Sequence, residues 1–195
     1  MKILIACEFS GIVRDAFLKR GHDAISCDLL PSEKPGPHYQ GDVRDILNKQ
    51  WDMIIAHPDC TYITNSGCRW LDTDITRWKK LFEACEFFRL FLNHPCKKII
   101  IENPIPHKYG LTLIGKKYTQ IIQPFMFGIP ETKATCLWLK GVPKLIEIDN
   151  VKELMKTMPK SKTNKVHYES PGLERWKNRS RTNYGIANAM GEQWG

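Results

Sequence analysis

The sequence of 195 residues contains no apolar stretch approaching the ~20 residues of a transmembrane helix. Its N-terminus also lacks a basic region followed by the apolar stretch of a secretory signal. The seven cysteines are odd in number, and they form neither a Cys-x-x-Cys pair nor a Cys/His spacing typical of zinc. These absences predict no membrane span and no metal site. They favour free thiols, most of them small core residues, in the reducing cytoplasm.

What is present is the composition of one globular domain, with 42% hydrophobic and 26% charged residues. The formal net charge is +8, because 29 Lys and Arg face 21 Asp and Glu. Many of the basic residues fall in the last third: Lys140, Lys144, Lys152, Lys156, Lys160, Lys162, Lys165, Arg175, Lys177, Arg179 and Arg181. This distribution favours a polyanionic partner, although a solvated basic surface has the same composition.

Short apolar runs alternate with segments of helical period, which predicts an α/β fold: a mostly parallel twisted sheet with helices on both faces. The predicted strands are residues 2–6, 23–28, 38–43, 52–56, 98–101 and 136–139, and the predicted helices are residues 11–19, 78–92 and 184–194. The aromatic residues of the second helix, Trp78, Phe82, Phe88 and Phe91, are predicted to lie in the core. Residues 142–179 show no apolar periodicity, and we expect a loop or a flexible segment there.

Three successive strand ends carry residues suited to a nucleotide-type cofactor, and ligands bind beyond the carboxyl ends of strands in such sheets. The first strand leads into Phe9-Ser-Gly11 and a helix, where backbone N–H groups can approach a ligand. Asp28 ends the second strand, where an acid contacts ribose hydroxyls, although it could equally be a cap or turn residue. Asp42 and Val43 stand at the end of the third strand, in a position suited to an adenine edge.

The next two strand ends carry a thiol and a carboxyl group. Cys60 follows the fourth strand in His57-Pro-Asp-Cys60, and Glu102 ends the fifth in Glu102-Asn-Pro104. A thiolate and a carboxyl group at one sheet edge suggest covalent attack on a polarised ring or carbonyl. From the residues alone, a structural thiol and a strand-end cap remain the alternatives.

In this order the motifs resemble those of the cytosine C5-methyltransferases that use S-adenosylmethionine. The resemblance covers residues 1 to about 140 and resumes near residue 181. It rests on Phe9-Ser-Gly11, Asp28, Gly41-Asp42, His57-Pro-Asp-Cys60 with Asn65-Ser-Gly67, Glu102-Asn-Pro104, Gly128 to Cys136, and Ile186-Ala-Asn-Ala-Met190. Several motifs in the family's order are more specific than any one of them.

The resemblance implies a Rossmann-like methyltransferase fold and a mechanism for C5 methylation of cytosine in DNA. Cys60 would add to C6 of a flipped-out base, Glu102 would contact N3, and Lys133 or Asn103 would hold the base edge. S-adenosylmethionine would bind at Phe9, Ser10, Gly11, Asp28, Asp42, Val43 and Asn188. Residues 1–141 with 181–195 would form the catalytic domain, and residues 142–180 a reduced, basic substrate-recognition or flexible segment. Such a compact enzyme suits a phage, acting in the cytoplasm of a bacterial or infected cell.

Departures from the family pattern leave other functions open. Asp59 replaces the proline before the nucleophile, and an anionic neighbour raises the pKa of a thiol. The family's paired arginines become Lys133 and Thr135, and the target-recognition region is short. The alternatives are C5 methylation of a free pyrimidine nucleotide, DNA methylation without sequence specificity, methylation of an exocyclic amine, or a fold that binds nucleic acid without turnover.

Overall fold

Seven β-strands form one mixed sheet in the computed structural model, which describes residues 1–195. The strands are β1 (Lys2–Ala6), β2 (Asp23–Asp28), β3 (His38–Gln40), β4 (Met53–Ala56), β5 (Lys98–Pro104), β6 (Gln120–Ile122) and β7 (Thr135–Lys140). The α-helices are α1 (Ile12–Leu18), α2 (Arg44–Leu47), α3 (Asn65–Cys68), α4 (Thr76–Leu92), α5 (Lys108–Ile114), α6 (Lys160–Thr163), α7 (Lys165–Tyr168), α8 (Arg175–Ser180) and α9 (Tyr184–Trp194). Short 3₁₀-helices span Pro124–Met126 and Leu154–Thr157.

The strand order is β3-β2-β1-β4-β5-β7-β6, and the strands from β3 to β5 run parallel. Strand β7 is antiparallel to both β5 and β6. The prediction of a mostly parallel α/β sheet is therefore confirmed. The chain builds outward from β1 to β3 and then returns to β4 on the other side of β1. The crevice beyond the ends of β1 and β4 is thus the switch point where ligands bind in such sheets.

Alternating side chains of the strands divide the core into two layers, as the two-residue period of a strand requires. Ile3 and Ile5 pack with α1 and α9 on one face, while Leu4 and Ala6 pack with α4 and α5 on the other. All four side chains are fully buried, and burying one isoleucine contributes about 2 kcal/mol. None of the helices has the length and apolar character that a membrane span requires.

The structure departs from the predicted elements in three places. Phe82 is 49% exposed, because Leu81, Cys85 and Phe88 form the stripe of α4 that faces the sheet, and Phe82 lies beside that stripe. The prediction that Phe82 is a core residue is wrong, and Trp78 is only partly buried. Residues 142–179 contain the short helices α6 to α8 within the segment expected to be a loop. Helices α2, α3 and α5 and strand β6 were not predicted, and the third strand, predicted over residues 38–43, ends at Gln40.

Candidate active site

The turn after β1 is held by a buried carboxylate. Glu8 accepts hydrogen bonds from the Ser10 hydroxyl (3.0 Å) and the Val13 backbone N–H (2.7 Å). Cys7, just before it, has φ 58°, the one non-glycine residue with positive φ in the chain, a conformation that costs energy and is concentrated at functional sites. Because Glu8 occupies N–H groups at the start of α1, they are not free for the ligand expected there.

Gly11 shapes this turn without lining the cleft beyond it. Its φ is 71°, and a Cβ there would lie 2.5 Å from the Arg14 guanidinium. Arg14 is fully buried and donates to the Ser26 hydroxyl (3.2 Å) and the Pro35 carbonyl (3.0 Å). Gly11 thus makes room for the arginine that fixes the loop after β2, so its role is indirect.

A cleft of about 340 Å³ opens beyond the ends of β1, β2 and β4, a volume within the range of small-molecule sites. Five of the residues predicted to bind a cofactor line it together: Phe9, Ser10, Asp28, Asp42 and Val43. Asn188 is not among the lining residues, since it is exposed on α9. The structure therefore assembles most of the predicted cofactor residues but leaves Gly11 and Asn188 out of the cleft wall.

Carboxylates dominate the charge of this cleft, although the whole chain is basic. Its walls include Glu8, Asp28, Asp42 and Asp59. The two arginines in the walls are paired: Arg44 with Asp42 at 2.8 Å, and Arg181 with Glu33, outside the cleft, at 2.5 Å. Burial raises the pKa of Asp28, while the Leu30 backbone N–H, which donates at 2.9 Å, opposes that rise. Charge in the cleft therefore favours a cationic ligand.

The wall opposite Phe9 comes from the C-terminal part of the chain. Trp176 of α8 faces Phe9 with 6.2 Å between ring centroids, and Ser180, Arg181 and Thr182 continue the wall. Arg181 donates through Nε to Glu33 at 2.7 Å, which ties this segment to the loop after β2. Part of the segment predicted to recognise substrate therefore forms a wall of the cleft.

The loop that carries Cys60 is anchored to β5 and to α3. The side-chain amide of buried Asn103 donates to the Pro58 carbonyl at 2.8 Å. The Cys60 carbonyl accepts a hydrogen bond from the Thr64 N–H at 3.2 Å. A Cβ at Gly67 would lie 1.9 Å from the Thr61 carbonyl oxygen, so only glycine permits this close packing. The loop thus holds Cys60 in one place, and the Asn103 amide helps to position it, while Asn103 Oδ1 is buried without a hydrogen-bond partner.

The Cys60 thiol is mostly buried beside charges of both signs. Burial raises its pKa, Asp59 adds to that rise, and Lys133 and Arg179 oppose it. Asp59 itself is exposed, and its carboxylate accepts hydrogen bonds from the Thr61 N–H (3.0 Å) and hydroxyl (2.6 Å). The Asp59 carboxylate is therefore hydrogen-bonded within its own turn, but its charge still disfavours the Cys60 thiolate.

Glu102 is buried and paired with a histidine that sequence reasoning missed. The His57 Nδ1 atom lies 3.0 Å from Glu102 Oε2, and the Thr182 hydroxyl donates to the same oxygen at 3.1 Å. Burial raises the pKa of Glu102, but His57, Lys133 and Thr182 outweigh it, and the net shift is downward. Burial likewise lowers the pKa of His57, and Glu102 outweighs it, so the net shift is upward. Each group therefore favours the charged form of the other.

Lys133 is a cation close enough to both the Cys60 thiol and the Glu102 carboxylate to affect their pKa values. Burial lowers the pKa of Lys133, and the neighbouring Glu102 and Cys60 oppose that fall. Its ammonium donates to the Arg181 carbonyl at 2.8 Å, which places it beside the segment that walls the cleft. The structure thus brings Cys60, Glu102 and Lys133 together beside the cleft, whose walls include His57 and Thr182, the partners of Glu102.

Three residues of the site were not predicted from sequence: His57, Thr182 and Trp176. His57 stands inside the Cys60 motif, and a titratable group directly after a buried strand is a usable signal. Trp176 lies in the segment without periodicity, and Thr182 lies between that segment and α9, so neither carries a local signal. A comparison of the chain with models of protein families finds no match, and a comparison with curated proteins finds none either.

Proposed function

We propose that the protein transfers a methyl group from S-adenosylmethionine to C5 of cytosine in DNA. The observation that carries the proposal is one sheet edge holding an acidic cofactor cleft beside Cys60, Glu102 and Lys133. The parallel order β3-β2-β1-β4-β5 matches the first five strands of a Rossmann-like sheet, and β7 with β6 completes it in mixed directions. This supports a Rossmann-like methyltransferase fold.

The donor set of the cleft fits the proposed cofactor. Asp28 is placed to accept ribose hydroxyls, and Phe9 with Trp176 offers aromatic faces for a purine ring. S-adenosylmethionine carries positive charge on its sulfonium and amino groups, which suits Glu8 and Asp59 in the walls. Asp59 thus raises the pKa of the Cys60 thiol but also attracts the positive charge of the cofactor. When bound, S-adenosylmethionine supplies the methyl group.

The chain's own residues activate the base. The Cys60 thiolate adds to C6 of cytosine, which places electron density on C5. Lys133 stabilises that thiolate, because its ammonium counters the rise that burial and Asp59 cause in the pKa of Cys60. Glu102 faces N3 of the base, which takes up a proton as the thiolate adds to C6. Asn103 keeps the loop of Cys60 in register with β5 through the Pro58 carbonyl.

The position of the basic segment supports DNA as the substrate. The Thr132 N–H donates to the Thr163 carbonyl at 2.7 Å, so α6 is docked on the loop that carries Lys133. Lys160 and Lys162 of α6 are exposed and make no ion pair. A phosphate backbone bound by these lysines would run beside the base pocket.

Trapping with an oligonucleotide that contains 5-fluorocytosine tests the proposal, because fluorine at C5 blocks release of the thiol adduct. We expect a covalent complex that requires S-adenosylmethionine and is lost in Cys60→Ser. Cys96→Ser is the matched control, since Cys96 is a buried thiol that donates to the Trp51 carbonyl, and it should keep the complex. No adduct from the wild type on single-stranded or duplex DNA, or an adduct retained by Cys60→Ser, would refute the mechanism.

One observation favours a second candidate, which is binding without turnover. Both burial and Asp59 raise the pKa of Cys60, and a thiol that stays protonated does not add to C6. Cofactor and DNA binding without any adduct would support this alternative.

A further inference from the structure

The pairing of Glu102 raises a question of proton supply that the proposed function alone does not answer. His57 and Thr182 both contact Oε2 of Glu102, at 3.0 and 3.1 Å, so Oε1 remains for the base. A carboxylate held by these donors and by the nearby Lys133 ammonium stays ionised. Because N3 of neutral cytosine is itself an acceptor, an ionised Glu102 makes no hydrogen bond to it and has no proton of its own to give.

We infer that His57 holds the proton which N3 of cytosine receives, and that Glu102 passes it on. This inference rests on the proposed function. The imidazole Nδ1 lies at hydrogen-bond distance from the carboxylate, and Nε2 is buried without any hydrogen-bond partner. His57 also lines the cofactor cleft, so the ring stands between the two halves of the site.

The charges that face His57 favour its protonated form. Glu102 approaches from β5, Glu8 from the turn after β1, and Asp28 from the end of β2. Lys133, just before β7, is the one opposing cation among these groups. Three carboxylates against one ammonium outweigh the burial of the ring, whose pKa is raised in consequence.

Every proton and electron pair of the reaction has a source and a destination. The Cys60 sulfur forms a bond to C6, and the electrons of the C5–C6 double bond shift through the ring to N3. One proton moves from His57 Nδ1 to Glu102 Oε2, and the neutral carboxyl group then turns about its Cγ–Cδ bond, so that its O–H faces N3 and gives its proton to N3. After methylation, C5 loses its hydrogen to water, the C6–S bond breaks, and the N3 proton returns through Glu102 to His57.

The pH dependence of His57→Gln separates this role from a structural one. Glutamine keeps a donor for Glu102 but holds no transferable proton. We expect kcat to fall about 100-fold and the alkaline limb of the kcat–pH profile to move, while His94→Gln, the same change at the opposite end of β5, behaves as the wild type. A kcat within threefold of the wild type, or a lower kcat with an unchanged alkaline limb, would overturn the inference.

A measurement on the wild-type protein covers the case in which His57→Gln does not fold. Nitrogen-15 shifts of labelled histidine, followed against pH, should show one imidazole whose two nitrogens stay protonated to a higher pH in the wild type than in Glu102→Gln. An imidazole that loses its proton at the same pH in both proteins would overturn the inference. Absence of methyl transfer and adduct in the wild type, with the protonated ring present, would instead count against the proposed function.

Discussion

The side chain of Asn103 holds the loop of Cys60 against β5, since its amide donates to the Pro58 carbonyl at 2.8 Å. Asn103 and Pro58 are both buried. Asn103→Asp removes the donor and places a carboxylate against the carbonyl oxygen. We expect the free energy of unfolding to fall by about 1–3 kcal/mol, together with slower formation of the Cys60 adduct.

Chemical denaturation and the rate of 5-fluorocytosine trapping check this prediction. Asn48→Asp is the control, because Asn48 is exposed at the end of α2 and should lose little stability. A trapping rate equal to that of the wild type, in a stable Asn103→Asp protein, would show that the loop needs no such anchor.

The resemblance and the geometry disagree about Asn188, and cofactor affinity decides between them. Asp28 lines the cleft, so Asp28→Ala should weaken binding of S-adenosylhomocysteine by about 1–3 kcal/mol, or roughly 5- to 150-fold. Asn188 is exposed on α9 and outside the cleft wall, so Asn188→Ala should bind as the wild type. Calorimetry on the two variants is the measurement. Equal losses in both would restore Asn188 to the site.

Trp176 should report occupancy of the cleft. It packs against Phe9 at 6.2 Å, so a ligand entering between the rings changes its surroundings. We expect S-adenosylhomocysteine to alter the tryptophan fluorescence of the wild type. Trp176→Phe should abolish that change, and Trp176→Ala should weaken binding by about 1 kcal/mol. Trp70→Phe, a similarly exposed tryptophan outside the cleft, should leave the signal intact. A signal that persists in Trp176→Phe would place the ligand elsewhere.

Salt dependence should identify the lysines that contact DNA. Lys160 and Lys162 are exposed without ion pairs, whereas Lys165 pairs with Glu131 at 2.5 Å. Replacing Lys160 and Lys162 by glutamine should therefore reduce the slope of log K against log salt by about 2, and replacing Lys165 should change it less. Titrations at several salt concentrations measure this slope. The matched control replaces the exposed Lys116 and Lys117, and an equal effect there would indicate non-specific attraction by net charge.

Much of the sheet could be read from the sequence because its central strands are short apolar runs. Strands β1, β4 and β5 are buried on both faces. Continuous apolar runs such as Ile3–Ala6 and Ile99–Ile101 are typical of strands buried in this way. The sequence did not indicate that β7 runs antiparallel to β5. The direction of a strand depends on the path of the chain before it, and no local pattern records that path. Strand β6 spans three residues, too few to show a period.

The site was predictable where a strand end carried a reactive group. Asp28, Cys60 and Glu102 each follow or end a strong strand, and a parallel sheet brings such ends to one edge. Thr182 acts across 80 positions of sequence on Glu102, and no local pattern marks such a contact. Gly11 was assigned to the ligand from its motif, whereas the structure shows that its space is taken by Arg14.

The ion pair of His57 and Glu102 should leave a signature in the pH dependence of stability. His57 has a folded-state pKa above its ordinary value of 6.5. Its stabilising contribution is therefore complete below pH 6.5 and is lost as the pH rises through the folded-state pKa. Glu102 has a folded-state pKa below 4.5, so its contribution is complete above pH 4.5 and is lost as the pH falls through that folded-state pKa. The pair thus stabilises most between pH 4.5 and 6.5.

Glu102→Gln should reverse the alkaline part of this dependence. Without the carboxylate, burial is the largest influence on His57, so its folded-state pKa falls below 6.5 and stability rises with pH through that range. The Tm difference between wild type and Glu102→Gln should therefore be larger at pH 6 than at pH 8.5. His22 and His94, whose pKa values burial lowers, are present in both proteins and cancel in this difference. Thermal unfolding across pH 5 to 9 measures it, and a Tm difference independent of pH would mean that His57 is not charged in the folded protein.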